Sequence, residues 1–385
     1  MIVYKALQIL VLTASVIALG SSWGSGFSLD QWADQIEFAT DLDVDEVWAD
    51  WLGGKQYFTM VTENDEVIME TGRRIYDGDQ YLTSINRLYE VVRIDTENHI
   101  AHAEFVEEVT LSSERISLLE IRRQLGLAIA DAQEQNGEAV GSIAIYHTHN
   151  AESYIPTDGT DSINGVGGIH AVGQAFSSAL ESLGVATDYS EELHLPHDRG
   201  AYRRSRNTVI SLLSREPDAI FDVHRDAAPR NAYAAQIGDE WVTQVQFVVG
   251  RQNQNLGINR QYAQSLKSIA DQVYPGLIKG IFFGRGNYNQ DLTPLNLLIE
   301  VGAHTNSRDA AKAGIGLFAE VVDFYFYGPR DQRETADGAG APPGGIFAAS
   351  RTLIWIFAFL VSGGMVFYVI NAGGWAAALA RIKRK

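Results

Sequence analysis

The sequence predicts an α/β fold: a mostly parallel open sheet with flanking helices, preceded by a small β-rich domain and bounded by terminal transmembrane segments. Three observations predict it. From Gly141 to Tyr327 short apolar runs alternate with amphipathic stretches, as strands and helices do when they take turns. From Gln56 to Val109 alternating aromatic and β-branched residues are broken by Asn-Asp, Asp-Gly and Glu-Asn pairs, which reads as short strands and turns. The two ends carry long uncharged apolar runs.

Taken in order, residues 1–27 form a signal or anchor segment. Its apolar run follows a lone Lys5, so that cleavage near "ALGSS" and retention as an anchor are both open. Residues 28–117 make the β-rich domain, and its start, "LDQWADQIEFATDLDVDEVWADW", concentrates acid. In "SERISLLEIRRQLGLAIADAQEQNGE" Ile, Leu and Ala recur at helical spacing before a Gly, which gives a helical connector over 118–140.

The main domain is expected over 141–329. Its strands are "SIAIYHTH", "VATDYS", "AIFDVHRDA", "QVQFVVG" and "PLNLLIEVGAH". Its helices are "AVGQAFSSALESLG", "YRRSRNTVISLLSRE", "RQYAQSLKSIADQVY" and "SRDAAKAGIGLFAEVVDFYF". A Gly-, Pro- and Ala-rich linker, 330–346, leads to a transmembrane helix within 347–380, uncharged from Thr352 to Ala380. The basic tail 381–385, "RIKRK", outweighs Arg351 on the other flank, which places the tail in the cytoplasm and the domains outside it.

Asp+Glu number 48 against Lys+Arg 30, a net charge of −18, so nucleic acid is excluded as a partner. Cysteine is absent, which excludes disulfides and thiolate metal sites. No Gly-rich phosphate loop is present.

In open α/β sheets chemistry gathers at the carboxyl ends of strands, and His147, His149, His224 and Glu300 all fall there. Residues two apart on a strand share a face, so His147 and His149 can enter one site while Glu152 curls back from the loop. Two or three imidazoles with one carboxylate are the ligand set of a catalytic zinc, so His147, His149, Glu152 and His224 are the expected ligands of Zn2+. Glu300 interrupts an apolar strand and is the expected general base; the alternative is a buried ion pair, for instance with Arg225. Asp222 and Asp226 flank His224 and can orient ligands. Arg225 and His304 are candidates for stabilising the transition state, and "YRRSR", Tyr202–Arg206, for binding carboxylates. His99 and His102 read as surface residues; His170 at a helix start and His194 and His197 in the loop "EELHLPHDRGAY" can each approach the site, but solvated positions are the reading preferred for them.

The runs "IYHTHNAESYIPT", "GAYRRSRNTVISLLSREPDAIFDVHRDA", "FVVG", "YPGL" and "YNQDLTPLNLLIEVGAHTNS", with "TGRRIYDGDQYLTSINRLYEV" before them, resemble the stage II sporulation protein P family of peptidoglycan hydrolases. The likeness spans most of 56–327. It implies a fold akin to zinc-dependent N-acetylmuramoyl-L-alanine amidases. The implied reaction is hydrolysis of the amide between the muramic acid lactyl group and L-alanine, with stem-peptide crosslinks as further substrates. It also implies a metal shell from "HTHNAE" and "DVHRD" and a base from "LLIEVG", leaving open which of His147 and His149 ligates directly. The partners it implies are peptidoglycan, the membrane and other cell-wall hydrolases. A carboxy-terminal span departs from the family's amino-terminal anchor. A zinc peptidase or carboxypeptidase acting on the same polymer, and a non-catalytic wall-binding module, are the competing expectations.

Overall fold

The computed structural model describes residues 57–112, 141–198 and 200–328. The expected signal or anchor segment, helical connector, linker, transmembrane helix and basic tail lie outside the described residues. Among those described, no helix is long and apolar enough to cross a membrane.

Five strands form first: β1 (Phe58–Val61), β2 (Val67–Thr71), β3 (Gln80–Thr83), β4 (Arg87–Asp95) and β5 (Ile100–Glu108). Then come β6 (Ser142–Tyr146), helix α1 (Ile169–Ser182), β7 (Ala186–Tyr189), α2 (Ala201–Leu213) and β8 (Ala219–Asp226). A hairpin of β9 (Ala234–Ile237) and β10 (Glu240–Thr243) precedes β11 (Val245–Gly250), α3 (Leu256–Val273), β12 (Ile278–Gly284), β13 (Asn296–Ala303) and α4 (Arg308–Tyr327).

Eleven of these strands make one sheet, in the order β2-β1-β5-β4-β3-β12-β11-β13-β8-β6-β7. The β-rich segment is strand-rich as expected and continuous with the larger unit, because β3 pairs antiparallel with β12 from Thr83↔Gly280 to Gln80↔Phe283. The sheet is mixed, which corrects the expectation of a mostly parallel one. Pairs β12–β11, β13–β8, β8–β6 and β6–β7 are parallel, but β13 runs against β11 and the meander β3–β4–β5 is antiparallel. The short turn at Ser84–Asn86 allows the first step of that meander, since only antiparallel strands can be joined so tightly.

Period-two alternation decides what each face of the sheet does. On β8, Phe221 and Val223 point to one side, and on β13 Ile299 and Val301 follow them. There they meet Phe176 of α1, Leu266 of α3 and Phe318 of α4 in the main core. Phe318 sits 5.5–5.8 Å from the rings of Phe176, Phe221 and Phe247, contacts worth about 0.5–1.5 kcal/mol each beyond area burial. Helix α4 is started by Ser307, whose side chain accepts from the Ala310 amide at 3.2 Å, with Asp309 in its first turn. The opposite face carries Asp222, His224, Asp226 and Glu300, and α2 covers part of it through Val209 and Leu212. Polar residues are thus gathered on one face while three helices bury the other.

Candidate metal centre and base

Strand β6 stops at Tyr146, paired with Asp222 of β8, and the chain then turns out of the sheet. Asp222 drives the turn: its carboxylate accepts from the Thr148 amide at 2.8 Å and the Thr148 hydroxyl at 2.6 Å. His147 still follows the alternation and lies on the helix-covered face. Its Nδ1 donates to the Val223 carbonyl at 2.7 Å, Nε2 lies 3.1 Å from the Tyr189 hydroxyl, and a Cβ on Gly173 of α1 would come within 2.4 Å of it. His149, past the turn, reaches the polar face. The same-face expectation for the two histidines therefore does not hold, because it assumed a strand continuing through residue 149.

His149, Glu152 and His224 are brought together, all buried, with one donor atom of each within 4.8 Å of the others. Glu152 Oε1 lies 3.4 Å from His149 Nδ1 and 3.2 Å from His224 Nδ1. The far nitrogens face acceptors: His149 Nε2 donates to the Asp198 carbonyl at 3.2 Å, and His224 Nε2 lies 2.9 Å from Asp222 Oδ1 as an ion pair. Both neutral rings would then turn an Nδ1 lone pair toward a carboxylate, an arrangement of acceptors that requires a proton or a cation between them. The spacings of 3.2 and 3.4 Å match the edge of about 3.3 Å expected for a tetrahedron with zinc bonds of 2.0–2.1 Å. Asp222 on the far nitrogen of His224 is the carboxylate–histidine pairing that fixes a metal-binding tautomer.

Electrostatics agree with the geometry. Burial works against the charge on His224, but Asp222 and then Glu152 outweigh it and push the imidazole up to about 10. Burial also disfavours charge on Glu152, yet His224, His149 and Arg225 hold its carboxyl well below the ordinary range. His149 is lowered by burial, against the pull of Glu152. His147 is pushed down to about 3 by burial and by His170, and stays neutral.

Glu300 is the register partner of His224 on the adjoining strand, so both side chains emerge on the same face. Burial pushes its carboxyl up to about 7, with Arg73 opposing. Its Oε1 accepts from Arg73 Nε at 2.8 Å and Nη2 at 2.5 Å, while Oε2 is buried without a hydrogen-bond partner among the described residues.

Arg225 braces the loop that carries Glu152. Its backbone amide donates to Glu152 Oε2 at 2.9 Å, its Nε to the Ser153 carbonyl at 3.1 Å and its Nη2 to the Asp161 carbonyl at 2.7 Å. His304 is fixed by its backbone to Asp226 and Ile155, and its charged neighbours are Arg225, Asp161 and Asp226. Arg204 spends its hydrogen bonds on His194, Pro196 and Asp198, and Arg206 pairs with Asp291, so two arginines of "YRRSR" are engaged within the protein. Tyr202 of that run does reach the site, its ring 5.2 Å from His149 and stacked on His224 at 6.2 Å.

Two residues of the site are not among the expected ligands or catalytic groups. His197 lies 4.6 Å ring to ring from His149, with Nε2 4.0 Å from Glu152 Oε1; its loop reads as solvated in sequence, and only the Pro before it hints at a fixed path. Arg73, in the turn after β2, had no sequence signal beyond its place in "TGRRIYD".

A family model described as stage II sporulation protein P matches residues 80–323, a span that holds every predicted site residue and stops short of Arg73. Stage II sporulation protein P of Bacillus subtilis (strain 168) is 34% identical over 203 residues, covering 46% of this chain and 50% of that protein. The chain thus spans about half the length of this curated relative. Among solved structures, N-acetylmuramyl-L-alanine amidase Ami1 of Mycobacterium smegmatis aligns with 49% of this chain and 96% of its own at 18% identity and a TM-score of 0.34. The CwlD amidase of Clostridioides difficile, solved in complex with the GerS lipoprotein, aligns with 51% and 99% at 12% identity and a TM-score of 0.30. With its family model covering more than half of the sequence, the chain belongs to the stage II sporulation protein P family.

Proposed function

We propose that the chain is a zinc-dependent peptidoglycan hydrolase working outside the cytoplasm, which cleaves the amide between N-acetylmuramic acid and L-alanine. The observation that carries the reading is the convergence of His149 Nδ1, Glu152 and His224 Nδ1 beside a buried carboxylate, Glu300, whose proton affinity is raised toward neutrality. The substrate rests on what membership of the family implies.

His149, Glu152 and His224 would hold the ion. When bound, zinc supplies Lewis-acid polarisation of the scissile carbonyl and lowers the pKa of water. Glu300 takes the proton of the attacking water at Oε2 and returns it to the departing L-alanine amine, so water and amide become a free lactyl carboxyl and a free amino terminus. A carboxyl raised to about 7 suits both transfers, because it gains and loses a proton near neutral pH. Tyr202 packs against both histidines and shields that side of the site from water.

Purified protein loaded with zinc should release stem peptides beginning with L-alanine from sacculi, identified by mass spectrometry. Glu300→Gln should keep its zinc and lose activity by about 10² or more. New ends at any other bond would favour the peptidase alternative, and no new ends from a zinc-loaded protein would favour a wall-binding module.

A further inference from the structure

We propose that Arg73 is a positioning residue for Glu300: it clamps one carboxylate oxygen so that the other is presented to the reaction, and strands β1–β5 act in catalysis by delivering it. The inference rests on the reading of Glu300 as the base.

Both contacts of Arg73 go to the same oxygen, Oε1, at 2.8 and 2.5 Å, and Oε2 is left buried without a hydrogen bond among the described residues. A structural ion pair at full strength is bidentate, with one nitrogen on each oxygen. Here the fork closes on one atom. The pair is also not a rim contact, since side-chain exposure is 14% for Arg73 and 2% for Glu300.

The arginine is itself held. The Arg73 amide donates to the Thr71 hydroxyl at 3.1 Å, and that hydroxyl donates to Asp226 Oδ1 at 3.0 Å. The Gly72 amide reaches the same Asp226 oxygen at 2.8 Å. Gly72 packs so closely that a Cβ there would stand 2.5 Å from Ala227 Cβ. The guanidinium lies over the Tyr288 ring at 5.3 Å. Asp226 is two residues beyond His224 on β8, on the same face, so one strand places a metal ligand and, through Asp226, the arginine.

The other charged or titratable groups acting on Glu300 are His224 and Asp226 on β8, Glu152 in the loop after β6, Lys279 on β12, and Tyr154, Tyr233 and Tyr288. Arg73 is the group among them whose hydrogen bonds reach the carboxylate. It remains cationic throughout, so it gives up no proton; it acts on Glu300 by holding the carboxylate's orientation, and its charge opposes the upward push of burial.

The test uses the purified, zinc-loaded full chain and a soluble muramyl peptide. Arg73→Ala should lower kcat by about 10²-fold, as small misplacements of a reacting group do, with KM changed less than about threefold and zinc content unchanged. Added guanidinium ion should restore at least about tenfold of that loss. In a Glu300→Gln background Arg73→Ala should cost nothing further, because residues that act as a unit are not additive. Arg73→Lys, which keeps the charge and the packed stem, should fall between wild type and Arg73→Ala, and it carries the same cycle if the alanine variant does not fold. If Glu300→Gln abolishes turnover while the Arg73 variants keep kcat within about twofold, the clamp is overturned and the base stands. Equal losses from Arg73→Ala in both backgrounds overturn it as well. If Glu300→Gln itself turns over normally, Glu300 is not the base and the clamp falls with it.

Discussion

His147 donates Nδ1–H to the Val223 carbonyl on the helix-covered face, and two residues later His149 turns Nδ1 toward Glu152 on the other. The consequence is a pair of opposite phenotypes. His147→Ala should keep zinc and lose about 1–3 kcal/mol of stability, the cost of leaving a buried partner unsatisfied, as read from denaturant unfolding. His149→Ala should lose zinc, measured by elemental analysis, at a smaller cost in stability. Glu300 gives a pH prediction. A base works only when deprotonated, so activity falls as pH drops through its pKa. Burial has moved that value upward from 4.5 to about 7, and the positive charge of a bound zinc pulls it back down. The acid limb of kcat/KM should therefore lie between the ordinary carboxylate range and 7, and a limb below that range would remove Glu300 from the role. At this scale the sequence was legible where residue type and strand position sufficed: His149, Glu152, His224, Asp222 and Glu300 all lie where the motif puts them. It was not legible where a backbone turn decided the outcome, as at Thr148, or where a partner came from far along the chain, as with Arg73.

The elements that could be read were those with a clean period. Helices α1 to α4 and strands β6, β7, β8, β11 and β13 follow from it, as do the turns of the β-rich segment. Strand β12, "IKGIFFG", escaped because its glycines and Lys279 break the apolar run, although Gly280 is required: a Cβ there would stand 2.4 Å from the Tyr81 hydroxyl. The hairpin β9–β10, "AAQIGDEWVT", is short and without a sustained alternation of polar and apolar residues, and gave little to detect. The turn after β2 is the element on which the two halves of the site depend. Gly72→Ala would press a methyl against Ala227 and push the turn off β8. It should destabilise by about 1–3 kcal/mol, as overpacking does, and lower activity with zinc still bound. Full activity in a stably folded Gly72→Ala protein would show that the turn can move without disturbing Glu300.

Among the described residues, eleven strands make one sheet in which the β-rich strands are a wing, not a separate module. Sequence texture could divide the chain at residue 117 but could not show that β3 would seek out β12, because pairing partners leave no local trace. Removing the wing would bare the edge of β12, with Tyr81 and Leu82 taken from beside Phe282 and Ile281. A fragment beginning at residue 141 should therefore be poorly soluble and inactive, and light scattering against the longer chain checks this. The proposed localisation outside the cytoplasm predicts that protease added to intact spheroplasts degrades the domains and spares a tag after Lys385. The distance along the chain between paired elements also sets an order of events. Arg73 and Glu300 are 227 residues apart, and β3 waits nearly as long for β12. Contacts so remote in sequence close late, after the loop entropy between them has been met. A ribosome making this chain thus releases no finished site by instalments: until residue 300 has been added and has met residue 73, the buried carboxylate beside the histidines has no guanidinium to hold it.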